Sequence, residues 1–192
     1  MKLATLSSHL LKARSWYCGL ALLAIITATG YTFWPDEAPK AHLPIAAGNT
    51  LQGRVIEVLD GDTLDLIATN SHTYRVRLSY VDAPERDQPY GPLARQNLEQ
   101  LLIGKQVLVL VHGQDKYGRL LGEVSRNGQD ISEMQLQSGV AWHYLFFAQK
   151  QQDARQFARY QQLEETARQQ GIGLWQDSQA EAPWDFRRKQ HG

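Results

Sequence analysis

Three short stretches of this chain place ionisable side chains at spacings that could do chemistry. "LDGDTLDLI", residues 59–67, sets Asp60 and Asp62 on either side of Gly61. "YRVRLSYVDAPE", residues 74–85, carries Arg75 and Arg77, then Asp82 and, after Ala83 and Pro84, Glu85. "DKYGR", residues 115–119, ends on Arg119. A phosphodiester bears one negative charge and gains another as water attacks it. Its hydrolysis therefore calls for a cation, planar donors for the phosphoryl oxygens, and a base for the water. Two carboxylates, two arginines and one further carboxylate make up that set. Arginine suits the donor role because its fork pairs bidentately with phosphate oxygens.

Each stretch alone also has a plainer reading. Asp-Gly between alternating apolar residues is what a two-residue hairpin shows, so "DGDT" could be a turn or half of a metal site. Asp82 and Glu85 on a rigid proline turn could be a solvated loop. Arg75 and Arg77 could be exposed strand arginines, and Arg119 a hairpin residue.

The elements that would position these groups follow from hydrophobic period. "GRVIEVL", "TLDLIAT" and "TYRVRLSYV" alternate apolar and polar residues and read as a three-strand meander. In the third, Tyr74, Val76, Leu78 and Tyr80 share one face, with Arg75, Arg77 and Ser79 on the other. Pro92 after Gly91 suits a helix start, and Leu93, Leu98, Leu101 and Leu102 carry that helix to Gly104. "KQVLVLV" and "RLLGEVS" add two strands around "HGQDKYG". Asp130 and Glu133 form a capping-box-like pair opening a helix that Gly139 closes. Phe157, Tyr160, Leu163 and Ala167 mark a longer helix ending at Gly171. Five strands and three helices are thus expected over residues 50–177. The remainder, 178–192, reads as a basic tail whose Arg187, Arg188 and Lys189 are solvated, with Trp184 packing on the barrel; the alternative is an extra phosphate contact.

The 192 residues carry no net formal charge. In the first 49, Lys2, Lys12, Arg14 and Lys40 stand against Asp36 and Glu37, so the rest is close to neutral. That excludes a polybasic, field-driven nucleic-acid binder and makes any phosphate recognition local. The single cysteine, Cys18, excludes an intrachain disulfide and a multi-cysteine zinc site. Tyr17 stands before it where lipid attachment wants a small residue. His112 and His143 lack spaced ligand partners and read as structural or surface histidines.

Between Arg14 and Asp36 no charged residue occurs, a length sufficient to cross a bilayer core. Trp16 and Tyr17 stand at one end and Tyr31, Phe33 and Trp34 at the other, as interfacial anchors do. Residues 1–14 then read as a cytoplasmic leader, 15–34 as a transmembrane helix and 35–49 as a linker. The alternative is a signal peptide cleaved near "TATG" or "IAAG". Either reading exports the domain, to the periplasm or the extracellular space. No protein partner is expected, and the chain is taken as a monomer.

"DGDT", "YRVRLSYVDAPE", "YGPLA", "DKYGR" and "GIGLW", in that order, resemble the staphylococcal nuclease (thermonuclease) family across nearly all of residues 50–177. The resemblance implies an α+β, mainly β fold: a five-stranded OB-fold barrel with three helices. It implies a calcium-dependent endonuclease acting on DNA and RNA, cutting on the 5′ side to leave 3′-phosphate ends. By the same resemblance, Asp62 and Asp82 match the calcium-binding carboxylates, Ala83 offers its carbonyl, and Asp60 is a nearby outer-shell acid. Glu85 matches the general base, Arg77 and Arg119 the phosphate-contacting arginines, and Lys116 and Tyr117 the nucleotide pocket. Calcium suits such oxygen donors. This chain departs from the pattern at Ala83, where a threonine is common. It departs again in the short loop "RDQPYGP" and at "LFF", residues 145–147, where Phe147 could stack on a base without donating a hydrogen bond. The alternative from another class is an OB-fold module that binds nucleic acid or protein without catalysis. The presence of Asp62, Asp82, Glu85, Arg77 and Arg119 argues against it.

Overall fold

The computed structural model describes residues 45–191. The apolar run 15–34 and most of the linker lie outside them; within them no helix is long and apolar enough to cross a membrane.

Strands β1 (Thr50–Val58), β2 (Thr63–Ala68) and β3 (Thr73–Leu78) form the expected antiparallel meander, and β5 (Gln106–Gln114) and β6 (Leu120–Arg126) extend it in the order β3-β2-β1-β5-β6. Parallel pairing of β3 with β6, Val76 to Leu120 through Leu78 to Gly122, closes these five strands into a barrel, and the short β7 (Gln129–Asp130) pairs with the end of β6. Alternation fills its interior: Val55, Leu64, Leu66, Val76, Leu78, Val109 and Val111 are fully buried. Bulges between Val55 and Glu57 in β1 and between Val111 and Gly113 in β5 bend the strands enough for closure.

The third strand stops short of its sequence pattern. The expected run to Val81 breaks at Tyr80, which takes a left-handed backbone (φ 64°). The chain then resumes as β4 (Val81–Asp82), paired not with the barrel but with β8 (Trp142–His143). Alternation alone cannot report this turn, because Tyr80 and Val81 are both buried. The turn sends Asp82 out of the barrel wall and toward its mouth.

The three expected helices are present as α1 (Gly91–Leu102), α2 (Ile131–Gln137) and α4 (Ala154–Gln169). Asp130 caps α2 by accepting from the Ser132 and Glu133 amides, while the Glu133 side chain bonds Arg159 instead of returning to the cap. Two further helices, α3 (Leu145–Gln151) and α5 (Pro183–His191), bring the total among the described residues to five. In α3 the single buried residue is Ala148, so the segment shows almost no helical period. The stretch read as a basic tail is α5: Pro183 opens it, and Trp184 stacks on Tyr144 with ring centroids 5.4 Å apart. The "GIGLW" segment is held by close backbone approach. A β-carbon on Gly139 would lie 2.2 Å from the Ile172 carbonyl oxygen, and one on Gly173 2.3 Å from that of Gly139.

Candidate active site

The two acidic motifs meet because two glycines permit it. Gly61 sits where a β-carbon would come within 2.6 Å of the Ala83 β-carbon and 2.5 Å of that of Ala94 on α1. The turn between β1 and β2 is thereby pressed against the turn after β4. A β-carbon on Gly91 would lie 1.9 Å from the Glu85 carbonyl oxygen, so "YGPLA" serves to seat the loop carrying Glu85 on the start of α1. "DGDT" is indeed a turn, with the Leu59 amide donating to the Thr63 carbonyl at 2.9 Å. Its carboxylates nonetheless face the site.

Asp62 is buried and well held. Its Oδ1 accepts from the Thr63 hydroxyl and its Oδ2 from the Ala83 amide, each at 2.9 Å. Asp60 accepts from the Asp62 amide at 3.0 Å. Burial, reinforced by the neighbouring Asp62 charge, pushes the Asp60 carboxyl up to about 7. Asp82 has no solvent exposure. Arg77 lies between the two metal candidates, 2.6 Å from Asp82 Oδ1 and 3.2 Å from Asp62 Oδ2, and also donates to the Val81 carbonyl at 3.1 Å. Its neighbour Arg75 forms a bidentate pair with Asp65, at 2.8 and 2.9 Å, and lines the same cleft.

Arg119 is held by its own turn. Its Nε donates to Asp115 Oδ2 at 2.7 Å and its amide to Asp115 Oδ1 at 3.0 Å. Burial pushes the Asp115 carboxyl up, but these bonds and the Tyr117 amide outweigh it and hold the group below the usual carboxylate range. Lys116 and Arg119 both lie over the exposed Tyr117 ring, at 4.9 and 5.6 Å from its centroid.

All ten residues singled out in the sequence line one cleft of about 720 Å³: Asp60, Asp62, Arg77, Asp82, Ala83, Glu85, Lys116, Tyr117, Arg119 and Phe147. Tyr80, His112, Tyr144 and Gln151 also line it. His112, read as a structural or surface histidine, is bonded to Glu123 at 2.8 Å, and Tyr80 tilts against its ring.

Sequence reasoning missed Arg187. Its Nη2 lies 2.7 Å from Asp82 Oδ2, and its Nη1 2.6 Å from Glu85 Oε1 and 3.1 Å from Asp82 Oδ1. The available signal was Pro183 as a helix opener, with Trp184 and Arg187 three positions apart and so on one face.

Residues 75–177 match the family described as staphylococcal nuclease homologue. The chain belongs to that family. Among its relatives, a micrococcal nuclease of Shigella flexneri is 39% identical over 153 residues, 75% of this chain and 84% of that protein. An uncharacterized endonuclease of Escherichia coli is 36% identical over 140 residues, 72% of this chain and 86% of that protein. The staphylococcal-like nuclease CAN1 of Arabidopsis thaliana is 38% identical over 119 residues, 62% of this chain and 35% of that longer protein. The matched span runs from within β3 through the 3-10 turn Gly173–Gln176.

The donor set fits a hard cation. Asp62 and Asp82 bring oxygen donors within 3.2 and 2.6 Å of one nitrogen of Arg77, so a single small positive group can reach both. Burial pushes the Asp82 carboxyl up, and the bond from Arg187 and the charge of Arg77 do not fully offset it. Among the described residues no three histidine, cysteine or acidic side chains converge into a complete ligand shell. Backbone carbonyl and water would have to complete it, a demand that calcium tolerates better than zinc.

Proposed function

We propose that this protein is an exported, calcium-dependent endonuclease that hydrolyses phosphodiester bonds in DNA and RNA. The observation that carries the reading is the convergence, in one cleft, of Asp62, Asp82, Glu85, Arg77 and Arg119 from five separate loops and strands. Asp62, Asp82 and the Ala83 carbonyl would hold the cation. When bound, it supplies Lewis-acid polarisation of the phosphoryl oxygen.

The remaining steps belong to the chain's own side chains. Glu85, a third exposed and on the loop above Asp82, takes the proton from the attacking water. Arg77, held beside the two carboxylates and by the Val81 carbonyl, brings positive charge to the phosphoryl group. Arg119, braced through Nε by Asp115, leaves its terminal nitrogens to receive the charge that grows on the phosphoryl group. Tyr117 and Phe147, both exposed at the cleft, offer faces for stacking bases without reading their edges. The charge-free run 15–34, with basic residues before it and acidic ones after, supports export and membrane attachment of a monomer, or secretion if the run is removed.

The test is release of acid-soluble nucleotides from single-stranded DNA by the full-length protein, with calcium or with a chelator, beside Glu85→Gln. Calcium-dependent release that the variant loses is the expected result. A folded protein that releases nothing with any divalent cation would overturn the reading in favour of a binding module.

A further inference from the structure

Helix α5 is docked at both ends of the site. Trp184 stacks on Tyr144, the Gln88 amide donates to the Glu181 carbonyl at 2.6 Å, and Gln190 bonds Asp87 at 3.0 Å. Between these contacts Arg187 reaches down and forms a forked pair with Asp82 while also bonding Glu85. Both Asp82 oxygens are thereby taken, one by Arg187 alone and one by Arg187 together with Arg77. The neighbouring Arg188 takes no part; it pairs with Asp185 on the outer face of the helix.

This arrangement is incompatible with a divalent cation on Asp82. A guanidinium in hydrogen-bond contact with both oxygens occupies the directions a cation would use, and like charges a few ångströms apart in a buried site repel strongly. It also weakens Glu85 as a base, because its Oε1 accepts from Arg187 and the paired guanidinium charge favours the ionised carboxylate over the protonated one. We propose that α5 is a built-in gate: docked, Arg187 substitutes for the cation and pairs with Glu85, and cation binding requires Arg187 to withdraw. The gate deepens the nuclease reading and rests on Asp62 and Asp82 being the cation ligands.

Apparent cation affinity is then reduced by the fraction of molecules in which the gate is open, and removing the gate restores the intrinsic value. The experiment is calorimetric titration of the full-length protein with calcium alone, no nucleic acid present, for wild type, Arg187→Ala, Trp184→Ala, Arg188→Ala and Asp82→Asn. Arg187→Ala is expected to bind calcium about tenfold more tightly than wild type. Trp184→Ala keeps every charge in the site but loosens the docking, and should tighten binding in the same direction; Arg188→Ala should match wild type. Amide exchange across 183–190 should accelerate when calcium is added to the wild type and be fast without calcium in Trp184→Ala. Equal dissociation constants for wild type, Arg187→Ala and Trp184→Ala, with binding lost in Asp82→Asn, would overturn the gate and leave the cation site standing. Tightening in Arg187→Ala without tightening in Trp184→Ala would also overturn it, reducing Arg187 to a nearby charge. No calcium binding by any of the proteins would overturn the cation site itself and the gate with it.

Discussion

Replacing Gly61 by alanine should damage the site through packing alone. The new β-carbon would lie 2.5 Å from the Ala94 β-carbon and 2.6 Å from that of Ala83. Ordinary carbon contacts are about 3.5–4.0 Å, so each overlap is on the order of 1 Å. Neither neighbour can rotate away, since both atoms are fixed to backbone, one in α1 and one in the turn after β4. The strain must therefore push the "DGDT" turn from "VDAPE". Overpacking of this kind costs about 2–3 kcal/mol, the upper part of its usual range because two rigid neighbours are struck. For a chain of this size that lowers the melting temperature by roughly 5–10 °C. The same displacement separates Asp62 from Asp82 and Ala83, and a shift of about 1 Å in a catalytic constellation can cost about 100-fold in rate. Thermal unfolding by circular dichroism and nucleotide release from single-stranded DNA would be measured for Gly61→Ala, Ala83→Gly and the double variant. Ala83→Gly keeps the carbonyl and removes one of the overlaps, so the double variant should recover part of both losses. Gly61→Ala with wild-type melting and activity would refute the packing argument. So would a double variant whose losses simply add.

Glu85→Gln removes the base and the charge of the ion pair with Arg187 but keeps an oxygen that can accept from it, so turnover should fall about 10²–10⁴-fold with little change in melting temperature; retained turnover in a steady-state assay would remove Glu85 from the base role. Arg119→Ala should lower kcat by about 10²–10³-fold. Asp115→Asn, which frees the Arg119 fork, should give a smaller loss that appears in kcat more than in KM. The Asp115 carboxyl is held below its ordinary value in the folded state, so its contribution to stability is present above about pH 4 and is lost as pH falls through the depressed value. The melting-temperature gap between wild type and Asp115→Asn should accordingly be open at pH 6 and close below about pH 4, a window checked by melts across that range. Leu98, fully buried where α1 packs on the barrel, should cost about 2–5 kcal/mol as Leu98→Ala in denaturant unfolding.

The local signals in this chain were strong where one period governs a whole element. Alternation in "GRVIEVL" and "TYRVRL" placed β1 and β3, leucine spacing placed α1, and Asp130 marked the cap of α2, because each of these depends on neighbours within a few residues. The ordered motifs carry the family resemblance, and the resemblance named the site residues that the fold brings to one cleft. What sequence could not determine were the events set by distant packing. Strand pattern ran on through Tyr80, whereas the fold turns there and pairs Val81 and Asp82 with His143 and Trp142 some sixty residues later. Segment 145–151 buries a single alanine and so carries almost no amphipathic signal, yet the chain leaving β8 folds it into a helix at the cleft. Arg187 lies about a hundred residues from its partners Asp82 and Glu85, and a cluster of basic residues near the chain end looks solvated to any local rule. Its place in the site is decided by Trp184 finding Tyr144, a contact between elements that are independent in sequence and adjacent only after the barrel has closed.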